Sequence, residues 1–495
     1  MANKLLVKGT LSGTSTTPQI QHLITNAWTG ATVFNTQTGN YECLLDNVPA
    51  ADYTDTPIRA RVPGTSPLVT AETTARALGL IAKVLDGTSG GSYDPTTALR
   101  TDAFPAWAVP TTTYSRALRT YTSPTSWDYT AVYFHSDNTA EFMVNGRCVI
   151  DGKKFYNAGS GATCLAISVG VPVDIVNCDF GGNPSQAACS IRAPEVTFIN
   201  NRNFATAPAS GSTRSRGVFL ELDNGDTKCR KFTVTYNYSI GSAGIRVQNM
   251  DDNTSLSVIG YNDLREINTL KGDNSREFKS AIQILNCPAI WLHIKNNQII
   301  STKGVGNGED QVNIYSAVGT LDKPLLIYDN YVEQAVSSRL DSGNNGFTGT
   351  GTTTDLSKSA GAVPAYVRYV NNQFVRCANA CMNIAGGHNI EMFHNRMITY
   401  GLFEDGGSIG QQSAAAAIFD YYQTGASKFY ENYVVNNLIG YYTWYKERRD
   451  GTTGIQATDN LHLPDPITLD TEYYERQLWE QKKVTNQFSV GNLAA

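Results

Sequence analysis

The chain lacks the features that would assign it to a membrane, nucleic-acid or disulfide-rich class of protein. No window approaches the run of about 18 apolar residues that a membrane-spanning helix needs. Charge is nearly balanced, with 39 Lys and Arg against 44 Asp and Glu, and no basic block marks a nucleic-acid partner. The nine cysteines are an odd number without paired short spacings, which argues against a disulfide framework and against zinc. We expect no membrane insertion, no nucleic-acid partner, and cysteines such as Cys148, Cys164, Cys189 and Cys287 that act as small core residues.

Cofactor motifs and a secretory signal are also missing. Gly304, Gly306 and Gly308 are not followed by the Lys and helix of a phosphate-binding loop, and there is no His-Glu-x-x-His zinc motif. No group of acids supplies the several oxygen ligands that calcium needs. We therefore expect no metal and no cofactor. The amino terminus lacks the hydrophobic stretch of a signal peptide, so we expect a virion or extracellular protein that leaves its cell by lysis or has lost its signal.

What the sequence does contain is a short repeat. Two apolar residues flank a position that is usually polar, and an Asn follows, as in Val196-Thr-Phe198 before Asn201 and Leu292-His-Ile294 before Asn297. Intervals between successive copies run from 23 residues (372 to 395) to 42 residues (330 to 372), which is typical of a solenoid with variable insertions. The nine anchors are Asn177, Asn201, Asn237, Asn262, Asn297, Asn330, Asn372, Asn395 and Asn432.

The apolar and polar alternation within each copy predicts a strand. Hairpin pairs such as Asn307-Gly308 never join one copy directly to the next, so each strand is expected to pair with its equivalent in the next unit. An Asn at the same corner of every coil can then bond its amide to the Asn above and below. It also tolerates the left-handed backbone of a sharp corner. Nine coils spaced by about 4.8 Å predict a rod on the order of 40 Å long.

The stretches Val196 to Phe204, Ile290 to Ile299 and Ile390 to Met397 resemble the right-handed parallel β-helix of the pectate-lyase-like superfamily. The likeness covers about 300 residues and implies the fold more strongly than the function, because polysaccharide lyases and hydrolases, bacteriophage tailspikes and adhesins share it. We predict a mainly β protein whose residues 146–445 form a right-handed parallel β-helix of about nine to ten coils.

The regions on either side of the repeat are expected to differ from it. Residues 1–65 predict a small β-sandwich-like module, and residues 39–53 are similar to the edge of prealbumin-like domains. Residues 66–145 predict a helix over 70–85 followed by a Gly-, Pro- and Thr-rich arm. Residues 446–495 predict a cap with a second helix over 470–483. The two helices are expected to cover the first and last coils or to mediate oligomerisation, and the resemblance to tailspikes implies a homotrimer.

A surface column follows from phasing the strand that precedes each Asn phrase. The apolar residues expected to point inward are Leu165, Ile167, Cys189, Ile191, Val218, Leu220, Leu222, Ile245, Val247, Ile282, Ile284, Val312, Ile314, Met382 and Ile384. Residues between them then point outward and stack coil upon coil. Amides, charges and an aromatic ring in such a column match sugar hydroxyls and the apolar side of a pyranose. The predicted substrate-binding residues are Arg192, Gln248, Gln283, Asn313, Tyr315 and Asn383.

Glu221 and Asp223 are the predicted catalytic pair within this column, with Arg246 as their partner. Two residues along one strand lie about 6.6 Å apart, near the roughly 6.5–9.5 Å carboxyl separation of inverting glycosidases. Arg246, one strand spacing away, would hold one carboxylate ionised. The alternative is an ordinary strand face, on which a cross-strand Glu and Arg pair contributes roughly 0.2–1 kcal/mol.

Long loops and late aromatics are the other candidates for recognition. Gly-, Thr- and Ser-rich insertions are predicted at 206–217 and 341–361. Aromatic residues crowd the last two coils, where they suit either glycan recognition or an end cap. These aromatic residues are Tyr421, Tyr422, Tyr430, Tyr433, Tyr441, Tyr442, Trp444 and Tyr445.

The combined expectation is a phage tailspike-like or tail-fibre-like protein that binds, and in one version depolymerises, a bacterial surface polysaccharide. A secreted polysaccharide lyase or glycoside hydrolase is the first alternative. A non-catalytic structural or adhesive surface protein is the second.

Overall fold

The computed structural model describes residues 113–159, 161–213, 216–223, 229–268, 271–273, 279–303, 305–306, 308–335, 349–356, 362–410, 413–451 and 460–493, together with the backbone of eight short strands between residues 4 and 85. The chain divides into two compact units, Met1–Ala106 and Trp107–Ala495.

The amino-terminal unit contains two four-stranded antiparallel sheets. One has the order Val33–Phe34, Asn40–Asp46, Lys4–Thr10, Val84–Leu85, and the other Trp28–Gly30, Gln19–His22, Pro57–Arg61, Ala71–Thr74. The predicted helix over 70–85 is wrong, because its described residues belong to strands. Ala71–Thr74 ends in two β-branched threonines, whose stiff side chains favour strands, and pairing with Pro57–Arg61 overrides the helical pattern.

The second unit is a parallel β-helix whose coils each contribute one strand to three long sheets. Ten such coils are present in the described residues, so the predicted fold is confirmed. The first sheet contains Val132–His135, Thr163–Ser168, Ala187–Arg192, Val218–Asp223, Ala243–Gln248, Ile282–Leu285, Asp310–Tyr315, Thr350–Asp355, Ala380–Ile384 and Ala414–Ile418.

The other two sheets complete each coil. The second contains Met143–Val144, Arg147–Asp151, Val173–Val176, Glu195–Ile199, Lys231–Thr235, Asp251–Gly260, Ala289–Lys295, Leu325–Tyr328, Ala365–Val370, His388–Phe393 and Asn432–Val435. The third contains Tyr129–Thr130, Lys154–Asn157, Asp179–Gly182, Arg202–Ala205, Tyr238–Ile240, Asp263–Arg265, Gln298–Ile300, Tyr331–Glu333, Gln373–Val375, Arg396–Thr399, Leu438–Tyr441 and Leu461–His462. The described strands of these three sheets pair in parallel, except that Met143–Val144 pairs antiparallel with Arg147–Asp151 just after the short 3₁₀ turn Ala140–Phe142.

An asparagine ladder runs through the corner between the second and third sheets. From Asn201 to Asn437 each ladder Asn donates from Nδ2 to Oδ1 of the next one at 2.9–3.1 Å. Every member, Asn460 included, also donates to a carbonyl of the coil before it. The side chains are almost wholly buried, so each of these polar groups is satisfied by its neighbours rather than by water. The members are Asn201, Asn237, Asn262, Asn297, Asn330, Asn372, Asn395, Asn437 and Asn460.

Two predicted anchors lie outside this ladder. Asn177 has a left-handed backbone with φ of 57°, and Cys178 after it occupies the ladder position. Asn432 lies at the start of its strand, and Asn437 takes the ladder position instead. The expectation that one Asn both forms the ladder and adopts the left-handed corner is also wrong. From Asn201 to Asn437 the residue before each ladder Asn has the positive φ, as Asn296 does at 53°, so two neighbouring positions divide the two roles.

The coil interior is apolar and closely matches the predicted phasing. The predicted inward residues of the first sheet are buried in one continuous core, with the exception of Val218, which packs in a small separate cluster with Ala187 and Ala243. Stacked rings of Phe155 and Phe180, 5.4 Å apart, continue the core from coil to coil. The eight described cysteines are all buried and form no disulfide with each other, which confirms their expected role as core residues.

The described part of the chain contains one α-helix, Leu469–Thr485, close to the predicted 470–483. Thr468 caps it, accepting from the Thr471 amide while the Thr471 hydroxyl accepts from the Thr468 amide. The helix was expected to cover the last coil. It lies instead on the outer face of the third sheet. Its Trp479 is fully buried and stacks on Tyr331 at 5.5 Å.

Buried ion pairs hold this helix against the sheet. Glu475 accepts from Arg396 at 2.7 Å and Glu472 from Arg376 at 2.8 Å. The arm expected to be extended also packs here, because Tyr121 stacks on Tyr238 at 3.9 Å. The helix Leu469–Thr485 and the arm around Tyr121 therefore cover much of the outer face of the third sheet. Across the described residues, no helix has the length and hydropathy required to span a membrane.

Candidate functional site

The outer face of the first sheet carries two columns of side chains in parallel register, polar except for Leu285. The first column contains Ser190, Glu221, Arg246, Gln283, Asn313, Thr353 and Asn383. The second contains Arg192, Asp223, Gln248, Leu285, Tyr315 and Asp355. Every residue predicted for the site belongs to one of these columns, because parallel pairing without slippage keeps equivalent positions side by side.

Glu221 lies beneath other side chains rather than open to solvent. It is 2% exposed and accepts from Gln186 Nε2 at 2.8 Å and from Arg246 Nη1 at 3.3 Å. The predicted contact between Glu221 and Arg246 is therefore present. Because Gln186 is itself exposed, this carboxylate lies just under the surface, where a ligand that displaces the amide would reach it.

Asp223 faces a different set of partners. It accepts from Arg192 Nη2 in the coil before it and from Asn249 Nδ2 in the coil after it, both at 3.0 Å. The two predicted catalytic acids are thus each paired with a separate guanidinium, Glu221 with Arg246 and Asp223 with Arg192. These contacts are also those of an ordinary charged strand face, and the catalytic role of Glu221 and Asp223 stays a prediction.

A second group of acids, the acid–tyrosine cluster, lies three coils further along the same face. We define it as Asp310, Asn313, Tyr315, Thr353, Asp355 and Tyr422. Asp310 accepts from Asn313 Nδ2 at 2.8 Å and from the Thr353 hydroxyl at 2.9 Å. The Tyr422 hydroxyl donates to Asp355, whose other recorded partners are the Asn313 side chain and the Leu356 amide.

Burial changes the acidity of this cluster. Removal from water, reinforced by the charge of Asp355, raises the pKa of Asp310 to about 7, even though Asn313 and Thr353 donate to it. Burial likewise raises the pKa of Asp355 against the opposing hydrogen bond from Tyr422. No Lys or Arg among the described residues pairs with either acid. Near neutral pH the pair therefore retains a proton that an exposed aspartate would have lost.

This arrangement supplies both a proton donor and hydrogen-bonding groups. A protonated carboxyl beside a second carboxyl can donate to an oxygen atom of a ligand, which is the requirement for a general acid. Oδ1 of Asn313 accepts no hydrogen bond from any described residue, although Asn313 is only 3% exposed. A buried acceptor without a donor is costly, so a ligand hydroxyl that reaches it would be stabilised.

Sequence reasoning found Asn313 and Tyr315 but missed the acids beside them. Asp310 has the parity of the inward residues Val312 and Ile314, so strand alternation gave no reason to place it beside Asn313, to which it is hydrogen-bonded. Asp355 lies in Thr350–Asp355, which was predicted to be part of the insertion 341–361. That stretch is a strand built from Thr and Gly, so it lacks the apolar alternation on which the prediction depended.

Two further observations bear on identity. Within the described residues, no three His, Cys, Asp or Glu side chains converge as a metal site would require. Comparison of the chain with protein-family models, curated proteins and solved structures finds no match.

Proposed function

We propose that this protein binds a bacterial surface polysaccharide along the outer face of the first sheet, in the manner of a phage tailspike or tail fibre. The observation that carries the proposal is the pair of in-register polar columns, which meets the acid–tyrosine cluster on the same face. The third sheet is a poorer candidate because the helix Leu469–Thr485 occupies its outer face.

The length of the columns favours a polymer. From Ala187–Arg192 to Ala380–Ile384 the first sheet advances by six strand spacings, or about 29 Å at roughly 4.8 Å each. Amides, hydroxyls and carboxylates recur at each step and match the repeated hydroxyls of a polysaccharide. A small metabolite would instead require an enclosed pocket.

Location and assembly belong to the same proposal. A protein of this type would act on a virion or outside the cell, and the likeness to tailspikes suggests a homotrimer. Light scattering on the purified chain tests the trimer directly: a mass of three chains is expected, and a monomer at micromolar concentration would refute it.

Hydrolysis of the bound polymer is the second candidate function. It is supported by Asp310, whose pKa of about 7 lets it remain a proton donor at neutral pH next to Asp355. The originally predicted acids, Glu221 and Asp223, are the competing pair. Variants of the two pairs would distinguish them.

The test uses capsular and lipopolysaccharide polymers from a panel of bacteria. Binding is measured by calorimetry, cleavage by new reducing ends, and elimination by the absorbance of unsaturated uronates. Binding by at least one polymer is expected, and no binding across the panel would contradict the proposal. New reducing ends without unsaturation would support hydrolysis, unsaturation would indicate a lyase, and binding alone would indicate an attachment protein.

Where cleavage is found, isosteric variants assign it. Asp310→Asn and Asp355→Asn should abolish cleavage with the fold retained, whereas loss in Glu221→Gln and Asp223→Asn would favour the other pair. Asp405→Asn is the matched control, because Asp405 is exposed and pairs with Lys303 away from both columns. It should cleave at the rate of the unaltered protein.

A further inference from the structure

An aromatic loop adjoins the acid–tyrosine cluster. Residues 419–431 connect the last strand of the first sheet, Ala414–Ile418, to the last strand of the second. The amides of Phe419 and Tyr421 donate to the carbonyls of Ile384 and Ala385 at 2.9 and 3.1 Å. The backbone of the coil below therefore holds both aromatic residues in place before any ligand arrives.

The rings of this loop form an exposed corner. Phe419 is 61% exposed and Tyr421 51%, and Tyr421 meets Phe419 and Tyr422 edge to face with centroids 6.3 and 5.1 Å apart. Large aromatic surface facing water is unfavourable, and several such rings in one fixed loop mark a binding surface. Rings that lie close to perpendicular offer two walls against which the apolar face of a pyranose can pack.

Tyr422 joins this corner to the acids. Its ring packs against Tyr421, while its hydroxyl donates to Asp355, and burial together with that contact raises the pKa of Tyr422. The aromatic corner and the carboxyls are consequently parts of one continuous surface at one end of the polar columns.

We infer that the corner formed by Phe419, Tyr421, Tyr422 and Asp355 is a subsite for an uncharged sugar residue and that it rejects a uronate. The inference rests on the proposed function and adds the class of sugar.

The charges around the corner explain the selectivity. Asp355 and Asp310 have no cationic partner among the described residues. Burial opposes ionisation of Asp420, but amides of Thr424 and Gly425 and the Thr424 hydroxyl outweigh it and lower the pKa of Asp420. The loop 419–431 carries two acids, Asp420 and Glu431, against one cation, Lys428. A ligand carboxylate here would meet like charge in a partly desolvated place, which disfavours its binding.

The opposite end of the columns is different in charge. Arg192 and Arg246 lie on the first sheet several coils away, where each neutralises one acid. A polymer with both neutral and acidic sugars would therefore bind in the register that places a neutral sugar at the aromatic corner.

The aromatic part of the inference is tested with the tightest-binding polymer from the panel. The double variant Phe419→Ala/Tyr421→Ala is compared with Trp444→Ala/Tyr445→Ala, an exposed aromatic pair on another loop whose rings are tilted by 33° with centroids 3.6 Å apart. The first variant should bind about tenfold more weakly or worse, and the second within about twofold of the unaltered protein. The inference would be overturned if Phe419→Ala/Tyr421→Ala bound as tightly as the unaltered protein, or if only Trp444→Ala/Tyr445→Ala lost binding. Either result would leave the proposed function intact.

The charge part uses that same polymer before and after selective oxidation of its primary hydroxyls to carboxylates, at matched chain length. Oxidation should weaken binding by more than about tenfold, and Asp355→Asn should restore part of the loss. The subsite would be refuted if the oxidised polymer bound as tightly as the original polymer, or if Asp355→Asn restored none of the lost binding. It would also be refuted if only uronate polymers in the panel bound. A panel without any binding polymer would remove the proposed function and the subsite together.

Discussion

Replacement of Asn297 by alanine is expected to destabilise the middle of the β-helix severely. Its side chain donates to the Ile259 carbonyl at 3.1 Å and to Asn330 Oδ1 at 2.9 Å, and it accepts from the amide and side chain of Asn262 at 3.1 and 2.9 Å. Alanine leaves the Asn262 amide and the Ile259 carbonyl without this partner, inside a region sealed from water. At about 1–3 kcal/mol for each unsatisfied group, the cost is roughly 2–6 kcal/mol.

The residue immediately before it provides the matched control. Asn296 adopts a left-handed backbone with φ of 53°, which glycine reaches without strain. Asn296→Gly should therefore stay within about 0.5 kcal/mol of the unaltered protein, since no ladder bond depends on its side chain. Two neighbouring asparagines with opposite tolerance would show that the ladder and the corner are separate requirements.

Hydrogen exchange and urea denaturation measure the difference. In Asn297→Ala the Asn262 amide should exchange at least about tenfold faster, a factor that corresponds to 1.4 kcal/mol, and the urea midpoint should fall. The ladder would lose its assigned role if Asn297→Ala denatured at the same urea concentration as Asn296→Gly and kept the Asn262 amide protected.

Three further outcomes follow from buried groups. Burial and a neighbouring carboxylate raise the pKa of Asp310 to about 7, so the folded chain keeps a proton that the unfolded chain releases near pH 4. The free energy of unfolding should therefore decline as the pH rises from about 4 to about 7. Urea titrations of Asp310→Asn should lack that decline. Glu472→Gln removes the carboxylate 2.8 Å from a buried guanidinium, which should cost about 3 kcal/mol and expose the helix Leu469–Thr485 to limited proteolysis, whereas an unchanged digest would contradict the assigned contact. Gly244→Ala brings a methyl group to 1.9 Å from a carbonyl oxygen of the next coil and should lower the thermal midpoint, while Gly170→Ala, with nothing within 4 Å, should leave it unchanged.

The repeat was predictable because its signal is local and recurs. Val196 and Phe198 alternate with polar neighbours, and the spacing to Asn201 returns often enough to predict parallel coils. Sequence reasoning failed where the signal weakens. Thr350–Asp355 and Ala414–Ile418 are strands of the first sheet, but their runs of Thr and Ala show no apolar and polar alternation from which a strand could be predicted.

The candidate site was predictable only in part for the same reason. Strand parity placed Asn313 and Tyr315 on the outer face, and their register with Arg246 and Gln248 followed from parallel pairing. Tyr422 was among the predicted aromatic candidates, but its contact with Asp355 could not be predicted, because it spans 67 residues and comes from a loop with no repeat.

The sequence by itself determined the winding of the chain, the apolar lining of each coil and the set of polar residues that stack outside it, because these depend on periodicity that adjacent residues carry. Tertiary structure alone decided which charges are paired and which acids are buried: Glu221 is paired with Arg246, while Asp310 and Asp355 form no ion pair with any described Lys or Arg. Acidity depends on solvent and on neighbours brought together from distant coils, and those neighbours exist only once the chain has folded.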